Sequence, residues 1–277
     1  MSTLFDTTPK AATSPAASPP TGRARIMAIS SGKGGVGKTF LSANLAAALA
    51  KRGEKVLVLD ADLGLANLDV VLNLFPKITL HDVFTHKATL EQAILPAPGG
   101  FSVLLAGSGM VEYSRLTADV REKLLAVIQQ VAPRFDRILL DTGAGISDVV
   151  LYAISLADDV LIVATPEPTS LTDAYATIKV LASQQNRRNI KLVVNQVNRV
   201  GDGRVIRGQL QQVVDRFVNP NLSYAIGETP LRLDLLGEIP IDLSVREAIQ
   251  KRRLLLDWVP GCEAARGIRA VAENLSP

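Results

Sequence analysis

One cysteine, Cys262, stands in a chain of 277 residues. A single thiol builds no disulfide framework, no structural zinc site and no iron–sulfur cluster within one chain. Its ordinary use is as a small apolar residue of the interior. Aromatic residues make up 4%, too few for the stacking platforms of single-stranded nucleic-acid binders. Charge of one sign is also lacking. The formal net charge is +3, and Asp6, Lys10, Arg23 and Arg25 place +2 of it at the N-terminus. A nearly balanced remainder speaks against a dedicated nucleic-acid binder. No run of about 18 apolar residues is present to span a membrane. The N-terminus lacks the apolar core of a signal peptide, so a reducing, cytoplasmic setting is expected. The two histidines, His81 and His86, have no acidic or thiol neighbours in matching positions and read as solvated or capping side chains.

What the chain does have is apolar content, 47%, enough for a sizeable core. Residues 1–24 are rich in Pro, Ala, Ser and Thr and read as a disordered tail that cannot bury enough surface to fold. Residues 25–277 read as one domain, in which apolar runs alternate with helical patterns. Strands are expected at Arg25–Ser30, Val56–Leu59, Val103–Leu105, Ile138–Leu140, Val160–Val163 and Leu192–Val194, with a seventh near Leu235–Ile239. Helices are expected over Lys38–Lys51, where Leu41, Leu45, Ala48 and Leu49 share a face, and over 116–131, 147–157, 170–184 and 204–217. Continuous β-branched runs indicate strands buried on both faces. The alternation predicts an α/β fold with a doubly wound, mostly parallel sheet flanked by helices. Ligands in such sheets bind beyond the carboxyl ends of the strands.

One motif falls there. Gly32-Lys33-Gly34-Gly35-Val36-Gly37-Lys38-Thr39 fits G-x-x-x-x-G-K-[ST], after a strand and at the opening of a helix, the context this phosphate loop requires. Glycines let backbone N–H groups turn inward on phosphate oxygens, and the helix N-terminus adds partial positive charge. Lys38 is positioned for the β- and γ-phosphates, and the Thr39 hydroxyl for magnesium. The ligand implied is ATP with Mg²⁺. Asp60 and Asp62 end the second strand, and Asp141 ends the strand at 138–140. Phosphoryl transfer asks for positioned carboxylates and charge stabilisation more than for covalent chemistry. Asp69 and Asp148 read instead as cap or turn residues.

The form K-G-G-V-G-K-T, with the early Lys33, resembles the deviant Walker-A ATPases of the MinD/ParA family. The resemblance runs over residues 26–275 and implies the P-loop NTPase fold and slow, partner-stimulated ATP hydrolysis. It implies that Lys33 reaches across a dimer interface to the partner's nucleotide, so the first expected partner is a second copy of the chain. Asp60-Ala-Asp62-Leu-Gly64-Leu-Ala-Asn67-Leu-Asp69 resembles the family's first switch. By that resemblance Asp62 orients the attacking water and Asp60 supports the magnesium shell. Asp141, before Thr142-Gly143-Ala144-Gly145, looks like the Walker-B aspartate, holding magnesium through a water, with the Gly145 backbone reporting the γ-phosphate. Asn195 and the loop Gly237-Glu-Ile-Pro240-Ile-Asp242 resemble the adenine side, which gives Asn195, Pro240 and Asp242 a base-binding role. Two positions depart from the pattern. Phe40 stands where many relatives carry Thr or Ser, leaving only its backbone N–H for the α-phosphate. Gly143 stands where many have Pro.

Within the family, Gly64-Leu-Ala-Asn67-Leu-Asp69, Thr79-Leu-His-Asp-Val83 and Asp141-Thr-Gly-Ala-Gly-Ile-Ser147 look most like the flagellar-number regulators FleN/FlhG. That branch implies control of flagellar number and placement, with the FlhF GTPase or a flagellar transcription activator as partner. Met1 to Gly22 contain no Gln, so the Gln-containing motif by which some of this branch stimulate FlhF is absent. The alternatives are a ParA-type partitioning ATPase, disfavoured by the near-neutral domain, and MinD-like division-site positioning. An iron–sulfur carrier needs a pair of cysteines per subunit. Near the C-terminus, Ile268, Val271, Ala272 and Leu275 share one helix face beside Arg266 and Arg269. That stripe fits either a helix on an anionic membrane surface, with peripheral attachment, or the last helix packed on the sheet. Lys251-Arg252-Arg253 reads as a solvated face.

Overall fold

The structure, a computed structural model, describes residues 23–64, 67–107, 113, 115–223 and 229–275. The expected tail through residue 22, and Leu65 and Ala66 of the expected first switch, lie outside these. Ala24, assigned to the tail from composition, is a buried core residue whose N–H donates to the Ala132 carbonyl at 2.9 Å.

Eight strands form one sheet: β1 (Arg25–Ser31), β2 (Val56–Ala61), β3 (Ile94–Pro96), β4 (Ser102–Leu104), β5 (Arg137–Ala144), β6 (Asp159–Ala164), β7 (Asn189–Val197) and β8 (Arg232–Pro240). Their order is β3-β4-β2-β5-β1-β6-β7-β8. Every neighbouring pair is parallel except β3–β4. β3 has no counterpart among the expected strands. Its three residues are too few to display a period, and Pro96 is tolerated because the strand lies at the sheet edge. β1 lies between β5 and β6, where the chain reverses its direction of travel across the sheet. The crevice over the C-terminal end of β1 is therefore where this topology places a ligand.

The helices are α1 (Lys38–Lys51), α2 (Leu68–Leu72), α3 (Leu80–Phe84), α4 (Leu90–Ala93), α5 (Ala118–Val131), α6 (Asp148–Ser155), α7 (Pro168–Gln184), α8 (Asp202–Phe217), α9 (Leu243–Gln250), α10 (Leu255–Trp258) and α11 (Glu263–Leu275). Alternate residues of the buried strands feed opposite layers. Met27, Ile29, Val58, Leu139 and Val163 pack with α1, α10 and α11. Ile26, Ala28, Leu59, Leu140 and Ile162 pack with α5, α6, α7 and α8. α1 is buried beyond its expected face: Phe40 and every residue from Leu41 to Leu49 are buried.

The C-terminal stripe resolves against the membrane alternative. Ile268, Val271, Ala272 and Leu275 are all buried. α11 lies on β8 and α1, so close that a Cβ on Gly267 would stand 2.7 Å from the Glu238 carbonyl oxygen and one on Gly237 would stand 2.8 Å from Val271. The i, i+3, i+4, i+7 spacing serves any apolar surface, and here that surface is the protein's own sheet. No helix among the described residues is long and apolar enough to cross a membrane.

Candidate functional site

The loop leaving β1 turns into α1 above the C-terminal edge of the sheet. Gly35 and Gly37 have φ of 79° and 94°, conformations that side chains rarely adopt. Gly37 is fixed twice over, since a Cβ there would meet the Asn195 amide nitrogen at 2.5 Å. A Cβ on Gly32 would fall 2.1 Å from the Asp173 carbonyl carbon of α7, so only glycine allows the loop to lie on that helix. No side chain caps the N-terminus of α1, and its first N–H groups remain for an anion. In front of it opens a cavity of about 690 Å³ lined by Gly34, Gly35, Gly37, Lys38, Thr39 and Phe40 on one side. Asp62, Gly64, Asn67, Thr142, Gly143 and Ser147 line the other. Val36 is buried beneath the loop.

Lys38 is buried, and its ammonium donates to Ser31 Oγ at 2.8 Å. Ser31 Oγ in turn donates to the Lys33 carbonyl at 2.7 Å. Burial pushes the Lys38 pKa down, while Asp141 and Asp62 pull it back up. These two carboxylates face the ammonium from β5 and from the end of β2.

Asp60 and Asp141 are register partners on β2 and β5, and both are buried. Burial pushes Asp141 up to about 6, against hydrogen bonds from Thr39 and Ser42 and the charge of Lys38. The Ser42 hydroxyl donates to Asp141 Oδ1 at 2.9 Å. Burial, then Asp141, raise Asp60 well above the usual carboxylate range. Asp60 Oδ1 accepts the Asp62 N–H at 3.2 Å, and its buried Oδ2 has no hydrogen-bond partner. Two crowded carboxylates and the Thr39 hydroxyl are hard oxygen donors that fit a magnesium ion. Among the described residues no three His, Cys, Asp or Glu converge as a metal cage. Asp60 does not line the main cavity; Asp62 does, with its Oδ1 3.3 Å from where a Gly143 Cβ would stand.

The remaining expected residues do not line this cavity. Lys33 is half-exposed and points to α7, where its ammonium meets Glu167 Oε2 at 2.9 Å and Thr169 Oγ1 at 3.1 Å. Gly145, at φ 84°, donates its N–H to the Ser31 carbonyl at 2.8 Å. Asn195 braces the loop from below. Its amide donates to the Val36 carbonyl at 2.8 Å and accepts from the Gln196 N–H at 3.0 Å. Pro240 pairs in register with Val197. Asp242 caps α9 by accepting the Ser244 N–H at 2.9 Å, and it also accepts the Ala264 N–H at the start of α11 at 3.3 Å. Partial burial would raise its pKa, but those N–H groups outweigh it and hold the carboxyl low. Ser31, Ser42, Glu167 and Thr169 were not singled out from the sequence. Ser42 carried a faint signal, lying one helical turn beyond Lys38 on α1.

Among the described residues His81 and His86 join no metal cluster, and Cys262 is half-buried at the foot of α11. Asp69 and Asp148 sit in the first turns of α2 and α6, whose N-cap residues are Asn67 and Ser147.

A family described as "AAA domain" matches residues 24–194. The chain is 39% identical to the antiactivator FleN of Pseudomonas aeruginosa over 91% of this chain and 86% of that protein. It is 32% identical to the flagellum site-determining protein YlxH of Helicobacter pylori over 91% and 81%. Among solved structures it resembles the septum site-determining protein MinD from Pyrococcus horikoshii in complex with Mg-ADP. That match has a TM-score of 0.72 and 30% identity, and covers 91% of this chain and 96% of that one.

Proposed function

The chain belongs to the MinD/ParA-type P-loop ATPases, and on that premise we propose that it is an ATP-hydrolysing, dimerising switch that sets flagellar number and placement. The observation that carries the nucleotide half is the glycine cradle, which opens on the same cavity as Lys38 and Asp62. The flagellar half rests on the two flagellar relatives, each similar over 91% of the chain.

In this reading the N–H groups of Gly34 through Thr39 and the Phe40 N–H cradle the phosphates. Lys38 neutralises the β- and γ-oxygens. Thr39, with Asp141 and Asp60 behind it, would hold a magnesium ion, which would supply charge neutralisation for the phosphates. Asp62 orients a water toward the γ-phosphorus. The P–O bond to the ADP leaving group breaks, and the water's protons pass to solvent and phosphate. Asn195 keeps one amide hydrogen and a lone pair for the adenine edge, with Pro240 and Asp242 walling that side. Loss of the γ-phosphate frees Gly145, and the dimer separates. The partners in this reading are a second copy, and the FlhF GTPase or a flagellar transcription activator.

The test is a deletion in the organism that carries the gene, followed by flagellar counts under electron microscopy. The parent gene should restore the normal number, and Lys38→Ala and Asp62→Ala should not. Unaltered flagella in the deletion, with misplaced division septa instead, would transfer the role to the MinD-like reading.

A further inference from the structure

The family resemblance implies that Lys33 reaches the partner's site, yet in one subunit its ammonium is already occupied. It sits 2.9 Å from Glu167 Oε2 and 3.1 Å from Thr169 Oγ1, both on its own chain. The placement follows from the fold. Gly32 lets the loop lie directly on α7, and α7 starts at Pro168 immediately after Glu167. The Glu167 side chain makes no capping bond for its own helix, so the helix start does not depend on its carboxylate. The pair lies at the surface, 41% and 62% exposed, where a new partner can reach it.

We propose that Glu167 and Thr169 are positioning residues that hold Lys33 in cis and set the threshold for dimerisation. To cross the interface, Lys33 must exchange a carboxylate on its own subunit for phosphate oxygens on the other. The two contacts exclude each other, because one ammonium on one side chain cannot face both directions. Glu167 therefore competes with the partner's nucleotide for the same cation. In a two-fold dimer every contact occurs twice, so two such pairs break per association event. Exposed ion pairs are individually weak, which suits a threshold that ATP must be able to overcome. Thr169 adds a neutral acceptor that fixes the direction of the ammonium without adding charge. This inference rests on the trans role of Lys33.

The test uses the full chain in an Asp62→Ala background, which slows turnover, with saturating ATP and magnesium. Dimer fraction is followed by light scattering over a range of protein concentrations. Glu167→Gln keeps the shape and removes the charge. It should lower the dimer dissociation constant by on the order of tenfold, the square of what one exposed pair contributes. Thr169→Val should lower it less, and Glu167→Asp should stay near the parent. Binding of a fluorescent ATP analogue, measured where all forms are monomeric, should be equal in all of them. Combined with Lys33→Ala, Glu167→Gln should have no further effect. If Glu167→Gln instead weakens the dimer, while Lys33→Ala also weakens it, the cis hold is overturned and the carboxylate acts across the interface. If Glu167→Gln leaves the dimer unchanged while Lys33→Ala abolishes it, the cis hold is again overturned and the trans lysine stands. If Lys33→Ala dimerises like its parent, the trans lysine itself fails, and this inference with it.

Discussion

Lys38 and Asp62 line the same cavity but act on different parts of the substrate, so their removal should separate binding from chemistry. Lys38→Ala deletes a charge aimed at the phosphates. It should weaken ATP binding by about 2 kcal/mol, roughly thirtyfold in Kd. Asp62→Ala leaves the cradle whole, so its Kd for ATP should match the parent while phosphate release falls by at least about 100-fold. Isothermal titration and a phosphate-release assay measure the two. A normal turnover in Asp62→Ala would remove Asp62 from the chemistry. Asp141 carries a different consequence. Its carboxyl ionises near 6 in the folded chain against 3.8 as a free group, so the unfolded chain gives up this proton first. Between pH 4 and 6 the folded state holds more protons, and stability falls as pH rises through that window. The loss amounts to about 3 kcal/mol by linkage. Asp60, raised for the same reason, adds in the same direction. Asp242, held low by its N–H donors, acts oppositely and loses its contribution only as pH falls through its folded value. Urea midpoints of the metal-free protein from pH 4 to 8 should show the decline, and Asp141→Asn should lessen it. A parent midpoint that rises over that window would contradict the crowded-carboxylate account.

At the scale of elements, α11 decides between two uses of one pattern. Its apolar face is core, so Val271→Asp places a charge where nothing pairs with it and should cost on the order of 4 kcal/mol, read as a lowered urea midpoint. Unchanged stability would return the stripe to a surface role. The phosphate loop was legible in the sequence because its eight residues are contiguous and their spacing is itself the mechanism. The parallel strands were legible because they are buried on both faces and run as unbroken apolar segments. α11 was ambiguous because spacing shows that a face is apolar but not what covers it. β3 was silent, since a three-residue edge strand ending in Pro96 has no period. Ser42, Ser31, Glu167 and Thr169 were silent for another reason. Each matters only through a contact made by the tertiary fold, as Ser42 does with Asp141 across 99 positions of sequence. Asn195 was placed beside the nucleotide by resemblance, and the structure adds its bracing of the Val36 carbonyl.

For the whole molecule, one architecture serves two demands. A sheet buried on both faces gives a rigid platform, and the parts expected to respond to ATP all sit on its C-terminal edge. Asp62 faces Gly143 there, beside the loop that carries Lys33, at the point where strand order reverses. The central claim is that ATP joins two copies through that edge. The most direct measurement is mass by light scattering of Asp62→Ala with ATP and magnesium, with ADP, and without nucleotide. The account predicts a dimer with ATP alone and a monomer in the other two conditions, and Lys33→Ala in the same background should remain monomeric throughout. A monomer under all three conditions, or a dimer indifferent to nucleotide, would contradict it.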